Sequence, residues 1–325
     1  MSPWLGPGAA PGGARHTTSR AAALHELYPQ LVEGWDVDEA PWLGMVQFAH
    51  DPWKRRDLWS SWPFNSSTVM VSTAYNGQLA DGSSTKKVRH QSIPYRHSVG
   101  AFSVRDYERL AVSEHQLLFE LGVFEAVNAV TMLELGCGTL RLGRLAMNLL
   151  LPTRYHCIEP NKESLSKVIH YELGWDVLLR KRPQIVHNTA FRAPANASTY
   201  RVILAQSIFT HTAADMLASA LDQLMPTLIP GGILIASLFT DEGRSSRIGA
   251  NAFSVSGWMW HGTQASFAWF PLQRLRQQTR SLGYKTAVVP FSHQHGQSWI
   301  AFCNVMSCPD SRSPLKVNGT ELTFE

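Results

Sequence analysis

The chain has 325 residues, more than one typical domain of roughly 100–200, and with 44% hydrophobic and 17% charged residues it can bury an ordinary globular core. Its formal charge of +4 comes from Lys and Arg scattered among acids, without a basic block, so nucleic acid is not an expected partner. The longest apolar runs, Leu145 to Leu151 and Ile233 to Phe239, fall far short of the roughly 20 residues that span a bilayer, so a soluble, cytoplasmic protein without membrane association is expected.

Residues 1–25 carry Arg15, His16 and Arg20 among many Gly, Ala and Pro, with no acid. This composition suits a flexible tail, with an organelle transit segment as the alternative. Residues 26–98 are crowded with turn signals and with Trp42, Trp53, Trp59 and Trp62, and are expected to form an irregular extension packed on a neighbouring domain. That domain is expected over 99–305, with 306–325 as a C-terminal tail.

The domain opens on SVRDYERLAVSEHQLLFELGVF, where Tyr107, Leu110, Ala111, Leu117, Leu118 and Leu121 recur at helical spacing before the stop at Gly122. Strands and helices then alternate. A strand is predicted at 130–135, a helix from about Leu142, a strand at 154–158 and a helix at 162–173. Further strands are predicted in RPQIVH, YRVILAQ, GGILIASLF, TAVVPF and SWIAFCNV. The alternation predicts a doubly wound, Rossmann-like α/β fold around a seven-stranded, mostly parallel sheet, which binds ligands beyond the carboxyl ends of its strands.

LELGCGTLRLG, Leu133 to Gly143, lies at the first such end. Gly136 and Gly138 let the backbone turn sharply and let a ligand approach it, and the helix that follows points its N–H groups the same way. The spacing of Gly136, Gly138 and Gly143 misses the GxGxxG of dinucleotide sites, which disfavours a nicotinamide oxidoreductase. Glu134 precedes the turn, and a carboxylate there attracts an ammonium or sulfonium rather than a pyrophosphate. Glu159, in YHCIEPN, lies about 20 residues beyond the glycines, where an acid can accept both hydroxyls of a ribose.

ELGCG, the acid ending the second strand, and Pro230-Gly231-Gly232 before the fifth together resemble the class I S-adenosylmethionine-dependent methyltransferases, over roughly residues 103–305. GCGTLRLGR, IEPN, AQSIFTH and HQHGQSW are similar, in order, to a bacterial-type subgroup with GCGSLRLGR, IEPN, a related fourth strand end and a late HPxGQxW. The resemblance implies S-adenosylmethionine as cofactor, with Glu134, Gly136, Cys137 and Gly138 around its methionine part. It further implies Glu159 and Asn161 at the ribose, Asn188 near the adenine where many relatives have an acid, and Gln206 and Ser207 facing the methyl group. Arg141 is a candidate for a carboxylate of the cofactor or substrate, or for a helix-solvating role.

On the acceptor side, His211 in FTH is the first candidate general base, with a loop-bonding role beside Thr210 and Thr212 as the alternative. His293 and His295 form a second pair of catalytic candidates, read as alternate residues of a strand and without a third ligand for a metal. Phe253 to Phe270 is expected to form a lid whose Trp258, Trp260 and His261 contact the acceptor, with Asp241 and Arg244 as further pocket candidates. Cys137, Cys157, Cys303 and Cys308 show neither metal spacing nor a dense disulfide framework, which suits a reducing compartment. The expected activity is methyl transfer to a small-molecule or glycan-like acceptor. The alternatives are a protein or nucleic-acid methyltransferase, and a non-catalytic cofactor-binding sensor or scaffold.

Overall fold

The computed structural model describes residues 19–34, 104–124, 130–194, 200–212, 214–241, 268, 270–309 and 314–325. The expected extension beyond residue 34, with its tryptophans, lies outside the described residues, as does the expected lid apart from Ala268 and Phe270.

Two short helices, α1 (Arg20–Leu27) and α2 (Pro29–Val32), come first. Residues 19–25 are therefore not part of a tail. Ser19 caps α1 by accepting from the Ala22 N–H, Leu24 and Leu31 are buried, and the Tyr28 hydroxyl donates to the Pro183 carbonyl. Helix α3 (Val104–Glu120) follows. The domain then runs β1 (Thr131–Leu135), α4 (Gly143–Leu149), β2 (Tyr155–Ile158) and α5 (Lys162–Val168), which continues into a π-helical turn at Ile169–Leu173. Next come α6 (Trp175–Lys181), β3 (Gln184–Val186), β4 (Tyr200–Ala205), α7 (Ala214–Leu224) and β5 (Leu228–Leu238). Helix α8 (Leu272–Ser281) leads to β6 (Tyr284–Val289) and β7 (Ser298–Asn304).

These seven strands form one sheet in the order β3-β2-β1-β4-β5-β7-β6. Strands β1 to β5 pair in parallel, and β7 runs antiparallel to both β5 and β6. The fold is thus the expected doubly wound, mostly parallel α/β sheet. The chain winds outward through β1, β2 and β3, then returns to place β4 on the other side of β1. The switch point falls between β1 and β4, where such sheets open a crevice.

Period-two side-chain alternation divides the sheet between two cores. Met132, Val202, Leu204, Ile233, Ile235 and Trp299 pack on one face with Leu117 and Leu118 of α3 and with Leu24 and Leu31. Leu133, Ile203, Leu234 and Ile300 pack on the other with Leu217, Leu221, Leu224, Leu272 and Leu275. Glu134 shares its strand parity with Met132, so β1 carries a carboxylate into the first, apolar face.

Two expectations are corrected. The last residues do not trail as a tail: β8 (Lys316–Val317) and β9 (Thr320–Glu321) form a hairpin with Val317 and Leu322 buried, and Glu325 exchanges backbone hydrogen bonds with Thr286. The cysteines are paired, Cys137 with Cys157 and Cys303 with Cys308. Parallel pairing brings the first two together, since Cys157 stands opposite Glu134 in register and Cys137 enters the next turn. None of the described helices is long and apolar enough to cross a membrane.

Candidate active site

The turn after β1 has the predicted shape. Gly136 and Gly138 adopt φ of +68° and +52°, a region costly for residues with a Cβ. A Cβ on Gly136 would lie 2.1 Å from Ile208 Cδ1, in the segment that follows β4. The glycine lets these two strand ends close on each other.

Glu159, just past β2, is buried and holds the turn. One carboxylate oxygen accepts the Gly138 N–H at 2.7 Å and the other accepts the Asn161 N–H at 2.8 Å. Burial raises its proton affinity, and these two bonds oppose the rise. Each oxygen retains a second lone pair for a ligand hydroxyl. His187, at the end of β3, bonds the Glu159 carbonyl through Nδ1 at 2.7 Å. Both amide atoms of Asn188 bond the backbone of Arg192 and close the 188–192 loop.

Glu134 is buried, and the Tyr155 hydroxyl donates to its Oε2 at 2.5 Å. Burial, with the nearby carboxylates of Glu114 and Glu159, pushes its pKa up to about 8, against the opposing Tyr155 bond and the Arg141 charge. Glu114 was not anticipated from the sequence. It stands on the buried face of α3 among Leu110, Leu117, Leu118 and Leu121, and its Oε1 accepts from Arg141 Nη2 at 2.6 Å. An acid within an apolar stripe is the signal that marks it.

Gly143, at the start of α4, explains how Tyr155 reaches Glu134. A Cβ there would stand 2.2 Å from the Tyr155 hydroxyl and 2.7 Å from its ring. Gly143→Ala should therefore destabilise the fold by about 1–3 kcal/mol, as overpacking does, which a shift in the urea unfolding midpoint would measure.

Arg141 also donates to Oε1 of Gln206, at the end of β4. Gln206 Nε2 contacts Ser207 Oγ at 2.7 Å and His293 Nε2 at 3.2 Å. Ser207, with φ of +55°, donates its backbone N–H to Ser237 and shares its hydroxyl with Gln297. His293 and His295 lie in the turn between β6 and β7, not in a strand; His293 packs edge-on against the buried Trp299. Burial, His295 and Arg141, in that order, pull His293 down to about 3. Ser237 and Gln297 escaped sequence reading, because their place follows from strand pairing distant in the chain.

The structure thus gathers Glu134, Gly136, Cys137, Gly138, Arg141, Glu159, Gln206, Ser207 and His293 at the switch point. His211 ends a 3-10 turn at Phe209–His211, and its side chain lies outside the description. Trp258, Trp260, His261 and Arg244 also lie outside the described residues. Asp241 accepts the N–H of Leu272, at the start of α8, at 2.8 Å. No metal-binding group of His, Cys, Asp and Glu occurs among the described residues.

No family model and no curated protein matches the sequence. Among solved structures, the chain is similar to the glycopeptide N-methyltransferase MtfA complexed with sinefungin, at 14% identity over 60% of this chain and 86% of that one, with a TM-score of 0.42. It is similar to the DhpI complex with S-adenosylhomocysteine, at 14% identity over 66% and 94% of the two chains and a TM-score of 0.43. A third similarity is to the pyocyanin biosynthetic protein PhzM, at 10% identity over 62% and 58% and a TM-score of 0.43. Seven strands in the order β3-β2-β1-β4-β5-β7-β6, with β7 reversed, give this chain a Rossmann-like, mostly parallel α/β fold.

Proposed function

We propose that the protein is an S-adenosylmethionine-dependent methyltransferase acting on a small-molecule or glycan-like acceptor. One observation carries the reading: the carboxyls of Glu114, Glu134 and Glu159 are all buried around the glycine turn, and the guanidinium of Arg141 already serves Glu114. Buried carboxylates are costly without a counter-charge, so the pocket favours a ligand that brings positive charge.

The donor set suits S-adenosylmethionine on three counts. Glu134 offers a carboxylate to an ammonium or sulfonium, Glu159 keeps lone pairs for two ribose hydroxyls, and the backbone at Gly136, Cys137 and Gly138 leaves room for close approach. When bound, the cofactor supplies a methyl group already activated on a sulfonium, so the protein's task is alignment and exclusion of water. In this reading Asn161 supports the ribose through the turn, Arg141 orients Gln206, and Gln206 and Ser207 border the methyl-transfer side.

Calorimetric titration of the full chain with S-adenosylmethionine, S-adenosylhomocysteine and NAD tests the reading. Micromolar binding of the first two without NAD is the expected result. Binding of NAD alone, or of none of the three by folded protein, overturns it.

A further inference from the structure

Arg141 joins two acceptors from distant parts of the chain. Its Nη2 donates to Oε1 of Glu114, on α3, at 2.6 Å and to Oε1 of Gln206, at the end of β4. A guanidinium only donates, so the Gln206 amide oxygen faces Arg141 and its NH₂ group faces Ser207 and His293. Fixing Gln206 in this way brings a permanent positive charge to a pocket that favours a cationic ligand. Both partners of the pair act on Glu134: Glu114 raises its proton affinity and Arg141 lowers it. Yet Glu134 takes its hydrogen bond from Tyr155, and Arg141 makes its ion pair with Glu114.

Without Glu114 the balance changes. A buried guanidinium is costly without a counter-charge, and Glu134 lies on the sheet face that α3 covers, where its carboxyl could supply one. Its charge would then be cancelled before any ligand arrives. On the basis of the methyl-transfer reading above, we propose that Glu114 is a positioning residue for the cofactor: it holds Arg141 on Gln206 and away from Glu134, and so reserves the Glu134 carboxylate for the ligand's ammonium or sulfonium. Paired, Glu114 and Arg141 add no net charge to the pocket. Burial raises the proton affinity of Glu114, and the charge and hydrogen bonding of Arg141 oppose the rise. Both of its oxygens face guanidinium N–H groups, Oε1 toward Nη2 and Oε2 toward Nε at 3.4 Å, the arrangement of a carboxylate. The groups facing Glu134 are thus the Tyr155 hydroxyl from β2, Glu114 from α3, and Arg141 and Glu159 from the segments that follow β1 and β2. Glu114 comes from outside the sheet, so the docking of α3 completes the electrostatics of the site.

The test titrates the full chain calorimetrically with S-adenosylmethionine, near neutral pH and in buffers of different ionisation heat, which counts the protons released on binding. Absence of binding by the folded wild type removes the methyl-transfer reading and this proposal together. A wild type that binds should release a proton as Glu134 ionises, measured against Glu134→Gln, which has none to release there. In Glu114→Gln the unopposed charge of Arg141 keeps Glu134 ionised beforehand, so release should fall by about fivefold or more. A merely structural loss would weaken binding and leave the released proton in place. Glu114→Asp keeps the charge and should retain release. Glu114→Gln combined with Arg141→Gln removes the buried pair together, which avoids an unpaired charge, and should restore release; this double variant keeps the question decidable if Glu114→Gln does not fold. Undiminished release in folded Glu114→Gln, loss of release in the double variant, or binding without release in the wild type overturns the assignment of Glu114 and leaves the methyl-transfer reading standing.

Discussion

Glu159→Ala should weaken S-adenosylmethionine binding by at least about 100-fold in calorimetry, the effect of losing two hydrogen bonds to a charged group at about 1.5–3 kcal/mol each. The loss has two sources. The carboxylate that would accept the ribose hydroxyls is gone, and the N–H groups of Gly138 and Asn161 lose the acceptor that holds the turn at 2.7 and 2.8 Å. The comparison with Glu159→Gln separates them. Its amide oxygen can retain one backbone N–H, while its NH₂ cannot accept a hydroxyl, so turn geometry should partly recover and ribose binding should not. A thermal unfolding midpoint near that of the wild type would confirm that the Ala variant remains folded. Unchanged affinity in that variant would remove Glu159 from the cofactor site.

Cofactor binding should release a proton from Glu134. Its carboxyl is buried beside Glu114 and Glu159 and is pushed up to about 8, so at neutral pH the ligand-free protein holds it mostly protonated, whereas a cationic ligand favours the carboxylate. Affinity should therefore rise with pH by up to about tenfold per unit below pH 8 and level off above it, following proton linkage. Calorimetry at pH 7 should show an enthalpy that varies between phosphate and Tris buffers in proportion to their ionisation heats, and Glu134→Gln should abolish that component. Buffer-independent heats in the wild type would exclude the coupling. For the ligand-free fold the sign is the reverse. A carboxyl whose folded value lies above its unfolded one contributes stability that is complete below the unfolded value and is lost as pH rises through about 8.

Much of this molecule is legible in the residue order. The alternation of apolar strands and amphipathic helices predicts the α/β sheet, and its strands fall where expected: 130–135 becomes Thr131–Leu135 and 154–158 becomes Tyr155–Ile158. Gly136, Gly138 and Glu159 are readable because turn chemistry and strand-end position are local properties. Cys137 is readable as part of the turn, but its pairing with Cys157 is not visible, since parallel register joins residues twenty apart.

The rest depends on contacts between distant segments. Glu114 appears as one polar residue in a helical stripe until α3 packs over the turn and meets Arg141. Tyr155 reaches Glu134 only because Gly143 leaves the space. His293 and Gln206, 87 positions apart, meet because β7 runs back beside β5 and carries the preceding turn to the end of β4. The sequence by itself determined the layered α/β architecture, the ligand end of the sheet and the acids at β1 and β2, because period, turn propensity and strand ends are set by near neighbours. Only the tertiary structure decided which charges share the pocket, how Gln206 is oriented and which protonation state surrounds His293, because electrostatics and hydrogen bonding depend on distance in space, and chain order does not encode that distance.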